Sequence, residues 1–268
     1  MADHASPPES FLSSQASPTD PWGNLRDFTA ARIALGRVGT CVPLAESLAF
    51  KLAHANARDA VYSALAKEKL RSDLEPFGLP VLELNSQART RAEYLQRPDR
   101  GRKLAEASRE ILADYPPAGS GPSDVALILA DGLSATAIND HAAPLLAWLV
   151  PRLRDRGLHL APLCVVEGGR VAISDEIGSL LRARLAVILI GERPGLSSPN
   201  SLGVYLTYDP QPGRTDEARN CVSNVRPEGL PYRMAAEKVF YLVSEALRRG
   251  LSGVALKDET ELLDSRKL

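Results

Sequence analysis

Three short glycine-containing stretches hold the residues with the best prospects for chemistry. They are Asp131-Gly132-Leu133-Ser134, Glu167-Gly168-Gly169-Arg170-Val171 and Gly191-Glu192-Arg193-Pro194-Gly195, each placed after an apolar run. Glycine lets a backbone come close to a ligand, and an adjacent charge orients a polar ligand edge. The phosphate-binding signatures are missing: no G-x-G-x-x-G follows the first run, and residues 191–197 lack a P-loop lysine. There is no G-x-S-x-G elbow either. Cys41, Cys164 and Cys221 lie far apart, no C-x-x-C or H-x-x-x-H occurs, and nothing local joins a cysteine to a histidine. A disulfide scaffold, a structural zinc site and a local Cys/His nucleophile pair are therefore not indicated.

Each candidate also has a bland explanation. Asp131 can cap the helix that begins near Ser134, and Gly168-Gly169 can be an ordinary turn. Glu192 can form a salt bridge with a neighbouring arginine, although a carboxylate that follows six apolar residues at the end of an inner strand is less easily dismissed. Cys221 can be a small buried hydrophobe, and Val171 plain core.

The elements that position these loops follow from the hydrophobic pattern. Residues 1–24 are Pro/Ser-rich and nearly free of branched aliphatics, which predicts a disordered tail with Trp22 anchoring its end. Residues 25–114 read as a helical assembly segment: helices over Arg26–Leu35, Pro43–Ala55 and Ala57–Lys69, and a longer one opened by Pro98. Val81–Leu84 forms a short strand candidate between them. Tyr115–Pro122 reads as a linker. Beyond it, from 123 to 268, apolar strands at 125–130, 158–166, 185–190 and 203–207 alternate with helices at 135–156, 174–184 and 233–249. Strands apolar on both faces imply a parallel sheet covered on both sides, with ligands outside its carboxyl edge.

Composition narrows the classes. With 32 Lys+Arg against 33 Asp+Glu the formal charge is −1, so no electrostatic case exists for nucleic acid or an anionic membrane. No run approaches the roughly 18 apolar residues of a membrane span. The N-terminus lacks the basic and apolar parts of a secretory signal, which favours a cytoplasmic protein.

Six blocks together resemble one family: TAARIALGRVGT (29–40), YLQRPDRGRKLAE (94–106), ADGLSATAI (130–138), EGGRVAISDEIG (167–178), VILIGERPGLSSPNSLGVYLTY (187–208) and RNCVSNV (219–225). The sequence resembles the small (light) subunit of ethanolamine ammonia-lyase, from about Asp27 to Gly253. The resemblance implies a hetero-oligomer with a larger, barrel-shaped catalytic subunit. It also implies conversion of 2-aminoethanol to acetaldehyde and ammonia, begun by a radical from adenosylcobalamin. It places three corrin-pocket residues here: Val171 of Gly-Arg-Val, Glu192 of Gly-Glu-Arg-Pro-Gly and Cys221 of Arg-x-Cys-x-Ser-Asn. Catalytic residues are expected on the large subunit, so this chain alone is expected to be inactive.

None of His4, His54, His141 and His159 sits in Asp-x-His-x-x-Gly, the pattern that puts a protein histidine on cobalt. The cofactor is therefore expected base-on, its corrin shared with the large subunit. The tail lacks the amphipathic helix that precedes relatives packaged in bacterial microcompartments, so encapsulation stays open. One residue is missing against the usual spacing between Leu202 and Cys221, which places the deletion in the 210–215 loop.

The expected fold is α/β: an N-terminal helical segment, then a Rossmann-like doubly wound parallel-sheet domain that binds cobalamin. Two other readings compete with the lyase subunit. They are a nucleotide-dependent α/β oxidoreductase and a non-catalytic interaction module.

Overall fold

The computed structural model describes residues 20, 22–115 and 122–258. The expected tail lies outside the described residues up to 19, as does the linker over 116–121. Trp22, expected to pin the end of the tail, is 67 % exposed and is not packed into the core of the described residues. Two compact units divide the chain, residues 1–55 and 56–268.

In the first unit the expected helix at 26–35 is replaced by a 3₁₀ turn, Gly23–Phe28, and irregular backbone. Ala34 (φ 51°) and Gly36 (φ 69°) take left-handed conformations that no α-helix tolerates. Arg26 and Arg32 instead converge on Glu46, where Arg26 Nη2 donates to the carboxylate (2.8 Å) and Arg32 Nη2 to the carbonyl (2.7 Å). The two helices expected over 43–69 are divided elsewhere. α1 (Leu44–Tyr62) runs on through Asn56, and α2 (Lys67–Leu74) follows the break at Ser63, whose Oγ donates to the Ala60 carbonyl.

The second unit is built on one six-stranded sheet. Its strands are β1 (Val81–Asn85), β2 (Val125–Ala130), β3 (Leu163–Glu167), β4 (Leu185–Gly191), β5 (Leu202–Tyr208) and β6 (Arg219–Val225). Their order is β1-β3-β2-β4-β5-β6. The first four strands are parallel, but β5 and β6 add on antiparallel, so the sheet is mixed rather than doubly wound parallel throughout. The connection from β4 to β5, residues 192–201, is too short for a parallel crossover. β1 comes from the segment expected to be helical and pairs with β3 from Val81↔Leu163 to Asn85↔Glu167.

Alternation along the strands sorts two layers of core. Leu127, Leu129, Val187, Leu189, Val204, Leu206 and Val222 face α2, α5 (Ala135–Asp155) and α7 (Tyr232–Arg249). Ile128, Cys164, Val166, Ile188 and Ile190 face the other way, against Leu104, Leu112, Ile173 and Ile177. The last three belong to α4 (Glu106–Ala113) and α6 (Ile173–Leu180). Pro98 does not open a helix: α3 (Arg91–Gln96) ends before it, and a turn held by the Arg97–Asp99 ion pair separates α3 from α4.

α6 packs on β2 and β4, while on the same side β5 and β6 stay half-open, with Tyr205 half-buried and Cys221 and Ser223 exposed. One buried contact joins the antiparallel pair to α6. Arg219 Nη1 and Nη2 each lie 2.7 Å from the Asp175 carboxylate, both side chains being at most 2 % exposed, and Nη1 also donates to Thr207 Oγ1 (2.9 Å). Breaking a buried pair leaves an uncompensated charge. Asp175→Ala should therefore destabilise the fold by about 3–5 kcal/mol, whereas the apolar double replacement Asp175→Leu/Arg219→Met should recover most of the loss. Chemical denaturation of the three proteins measures both.

Candidate functional site

The three glycine loops meet at the carboxyl edge of the parallel strands. Asp131 does not cap α5; Ser134 does, its Oγ accepting from Ala137 N. The Asp131 carboxylate instead reaches the neighbouring loop, where Oδ1 accepts from Gly168 N (2.9 Å) and Gly169 N (3.2 Å) and Oδ2 lies 3.5 Å from Arg91 Nη1. Burial raises its pKa to about 6, against the opposing pull of the Gly168 N–H and Arg91. The glycines serve the same joint. A Cβ on Gly191 would fall 2.0 Å from the Ser134 carbonyl oxygen, and one on Gly132 (φ 55°) 2.3 Å from that of Gly191. The close approach read from these glycines is thus between loops.

That joint fixes the stretch bearing Val171. Arg170 N donates to Gly101 O (2.7 Å), which ties the turn after α3 to the same loop. Between the two opens a cavity of about 310 Å³, lined among others by Pro98, Arg102, Arg170, Val171, Tyr205 and Cys221. Val171 and Cys221, far apart in sequence, therefore line the same cavity. Cys221 arrives there because β6 pairs it directly with Tyr205, on the half-open side of the sheet. A wider cavity of about 580 Å³ shares Arg102, Ala172 and Asp216 with the first.

Glu192 is not in the cavity wall but stands beside it. A Cβ on Gly203 would touch Glu192 Oε1 at 3.1 Å and Tyr205 Cε2 at 3.3 Å, so carboxylate and phenol ring flank a residue with no side chain. No arginine pairs with Glu192 among the described residues. Its two oxygens accept from Asn224 N at 3.3 and 3.2 Å. Asn224 is left-handed (φ 57°), at the irregularity where β5–β6 pairing jumps from Val204↔Val222 to Leu202↔Val225. A bulge of this kind re-aims the backbone, here pointing an N–H at the carboxylate. One N–H leaves most of the carboxylate's acceptor capacity unused.

Partial desolvation raises the Cys221 thiol first; the Tyr205 hydroxyl pulls it down and the Glu192 charge pushes it up. The Tyr205 phenol is raised as well, chiefly by burial and then by Cys221. A thiol held above its ordinary value stays protonated near neutrality, which suits a contact surface and not a nucleophile. Tyr205 and Arg102 escaped the sequence reading because no local spacing links them to the glycine loop that bears Arg170. The YLQRPDRGRKLAE block was a usable signal, since it supplies the turn that closes the cavity. His141 is buried on α5, its Nδ1 2.8 Å from Tyr232 Oη, and does not line this cavity.

The Asp131 joint has a pH signature. Because its folded pKa lies above the ordinary carboxylate value of 3.8, its stabilising contribution is full below about pH 4. The contribution is lost as the pH rises through about 6. Asp131→Asn should abolish this component, so the stability difference between wild type and variant should change by on the order of 2–3 kcal/mol across that window. Urea titrations at pH 4, 5, 6 and 7 test this; a constant difference would refute it.

Comparison with known proteins assigns the family. Residues 19–257 match the family model described as ethanolamine ammonia-lyase light chain (EutC). The ethanolamine ammonia-lyase small subunit of Azotobacter vinelandii is 56% identical over 243 residues, covering 91% of this chain and 90% of that protein. The Ralstonia nicotianae small subunit is 54% identical, covering 91% and 90%, and that of Pseudomonas syringae pv. tomato 51%, covering 95% and 89%. With a family match across most of its length and relatives above half identity, the chain belongs to the ethanolamine ammonia-lyase small-subunit (light-chain) family.

Proposed function

We propose that this chain is the cofactor-binding subunit of an adenosylcobalamin-dependent ethanolamine ammonia-lyase, holding one side of the corrin where it meets a large catalytic subunit. The observation that carries this reading is the convergence of Val171, Cys221 and Glu192 on one half-open face beside one cavity. The face suits a corrin. Gly203 and Cys221 leave it low, Val171 offers apolar contact, and Glu192 has spare acceptor sites for rim amides, which need partners once taken out of water. A corrin is wider than this cavity, so only part of its rim enters, and the rest is left for a partner to cover.

Bound adenosylcobalamin supplies the adenosyl radical that starts the conversion of ethanolamine to acetaldehyde and ammonia. This chain's residues bind and orient: Glu192 accepts amide N–H bonds, and Val171 and the neutral Cys221 thiol exclude water. A base-on cofactor is supported by the position of the histidines, since none lines the cavity among the described residues.

Partner binding has its own support in the first unit, where Phe28 (86 % exposed), Leu44 (74 %) and Leu52 (63 %) leave large apolar side chains in solvent. Such a concentration marks an interaction surface. Arg32 already serves Glu46 and lies over the Phe50 ring (5.3 Å), so apolar contact is the stronger basis for docking.

Two outcomes follow. Purified alone, the chain should self-associate and release no ammonia from 2-aminoethanol, whereas co-expression with the large subunit should give a defined complex active with adenosylcobalamin. Light scattering after size exclusion and an ammonia assay check this, and turnover by the chain alone would refute it. In that complex, Glu192→Ala should weaken cofactor binding roughly ten- to a hundredfold, as removal of a charged hydrogen-bond partner does. A cofactor titration identical to wild type would overturn the corrin-binding reading.

A further inference from the structure

We propose that Arg102 and Arg170 form an anion subsite for the phosphodiester of the cofactor's nucleotide loop. The inference rests on the corrin-binding reading above and adds a second contact to it. A cobalamin has a neutral amide rim and one phosphodiester, on the chain that hangs from the edge of the ring. An edge-bound corrin therefore brings a single negative charge close to its rim contacts.

The cavity that contains Val171 and Cys221 has the matching charge. Arg102 is exposed at its lip and has no ion pair or side-chain hydrogen bond among the described residues. Arg170 lies deeper, half-buried, with its guanidinium 4.1 Å from the centre of the Tyr94 ring and Nη2 donating to Tyr94 O (3.2 Å). Its Nε is buried without an acceptor.

The backbone holds the two arginines together. Arg170 N donates to Gly101 O, and Gly101 is required there because a Cβ would sit 2.8 Å from Arg170 Cγ. The other charges facing the cavity are Arg219 and Asp216. Arg219 is already neutralised by Asp175, and the highly exposed Asp216 carboxylate stands 3.5 Å from Arg219 Nε. Arg102 and Arg170 are thus the cations left for a ligand. A guanidinium pair suits a phosphodiester, whose oxygens accept charge-assisted N–H bonds.

The test compares two corrinoids on the complex with the large subunit, using equilibrium dialysis and the corrin absorbance as readout. Adenosylcobalamin carries the phosphodiester; adenosylcobinamide keeps the corrin and the adenosyl group but lacks the phosphodiester and base. Arg102→Ala should bind adenosylcobalamin roughly tenfold more weakly and Arg102→Ala/Arg170→Lys more weakly still, with adenosylcobinamide affinity unchanged. The loss should shrink at high salt, because part of it is screened attraction.

Equal loss on both corrinoids, or none on either, overturns the proposal. Weakened assembly with unaltered corrinoid preference also overturns it, and would assign the arginines to a carboxylate of the partner. Glu192→Ala separates the two ideas, since it should weaken both corrinoids alike. If it weakens neither, the corrin-binding reading fails; if it weakens both while the arginine variants behave as wild type, only the phosphodiester subsite fails.

Discussion

Asp175 sits in the first turn of α6 and Arg219 at the start of β6, and their buried bidentate contact joins the parallel part of the sheet to its antiparallel extension. Val171 lies just before α6, and Cys221 two residues after Arg219. The ion pair therefore sets the spacing between two walls of the cavity. Buried charge pairs seldom add net stability over apolar packing, but they strongly disfavour arrangements in which either partner is left alone. Here that makes separation of β6 from α6 expensive, and the pocket keeps its width.

The site then divides its labour by protonation and charge. Cys221 and Tyr205 are neutral neighbours whose protons are held more tightly than in solution. Glu192 supplies negative charge on one side of them, and Arg102 and Arg170 supply positive charge on the other. A ligand with amide donors on its rim and one anionic appendage meets complementary groups at both ends.

Much of the fold was legible in the sequence wherever burial was two-sided. The runs at 125–130 and 185–190 are apolar throughout because helices cover both faces, and they appear as β2 and β4. α5 and α7 follow their expected limits within a residue. RNCVSNV carried no strand signal, because only one of its faces packs on the protein: Val222 and Val225 face the core, while Cys221 and Ser223 are exposed. The antiparallel turn at β5 was readable from the short 192–201 connection but was masked by the βαβ rhythm before it. The helix expected at 26–35 failed for the opposite reason. Its alanines gave propensity, but no packed face rewarded it, and tertiary contacts to Glu46 decided the backbone. The loops bearing Arg170, Val171 and Glu192 were legible as glycine-and-charge stretches after apolar runs, but the corrin role of Val171, Glu192 and Cys221 came from resemblance; their neighbours Tyr205 and Arg102 needed three-dimensional proximity.

The antiparallel extension also makes the site sensitive to parity. Successive strand residues point to opposite faces, so adding or removing one residue inside β6 before Cys221 would turn its thiol toward α7 and bring a neighbour to the cavity. The same change between Tyr208 and Arg219 is harmless to this ordering, because that stretch is a loop and the pairing Tyr205↔Cys221 is set on its far side. Length variation among related chains should thus be silent in the hairpin loop and disruptive a few residues later. Odd and even, more than long and short, is the count that selection must watch along this edge of the sheet.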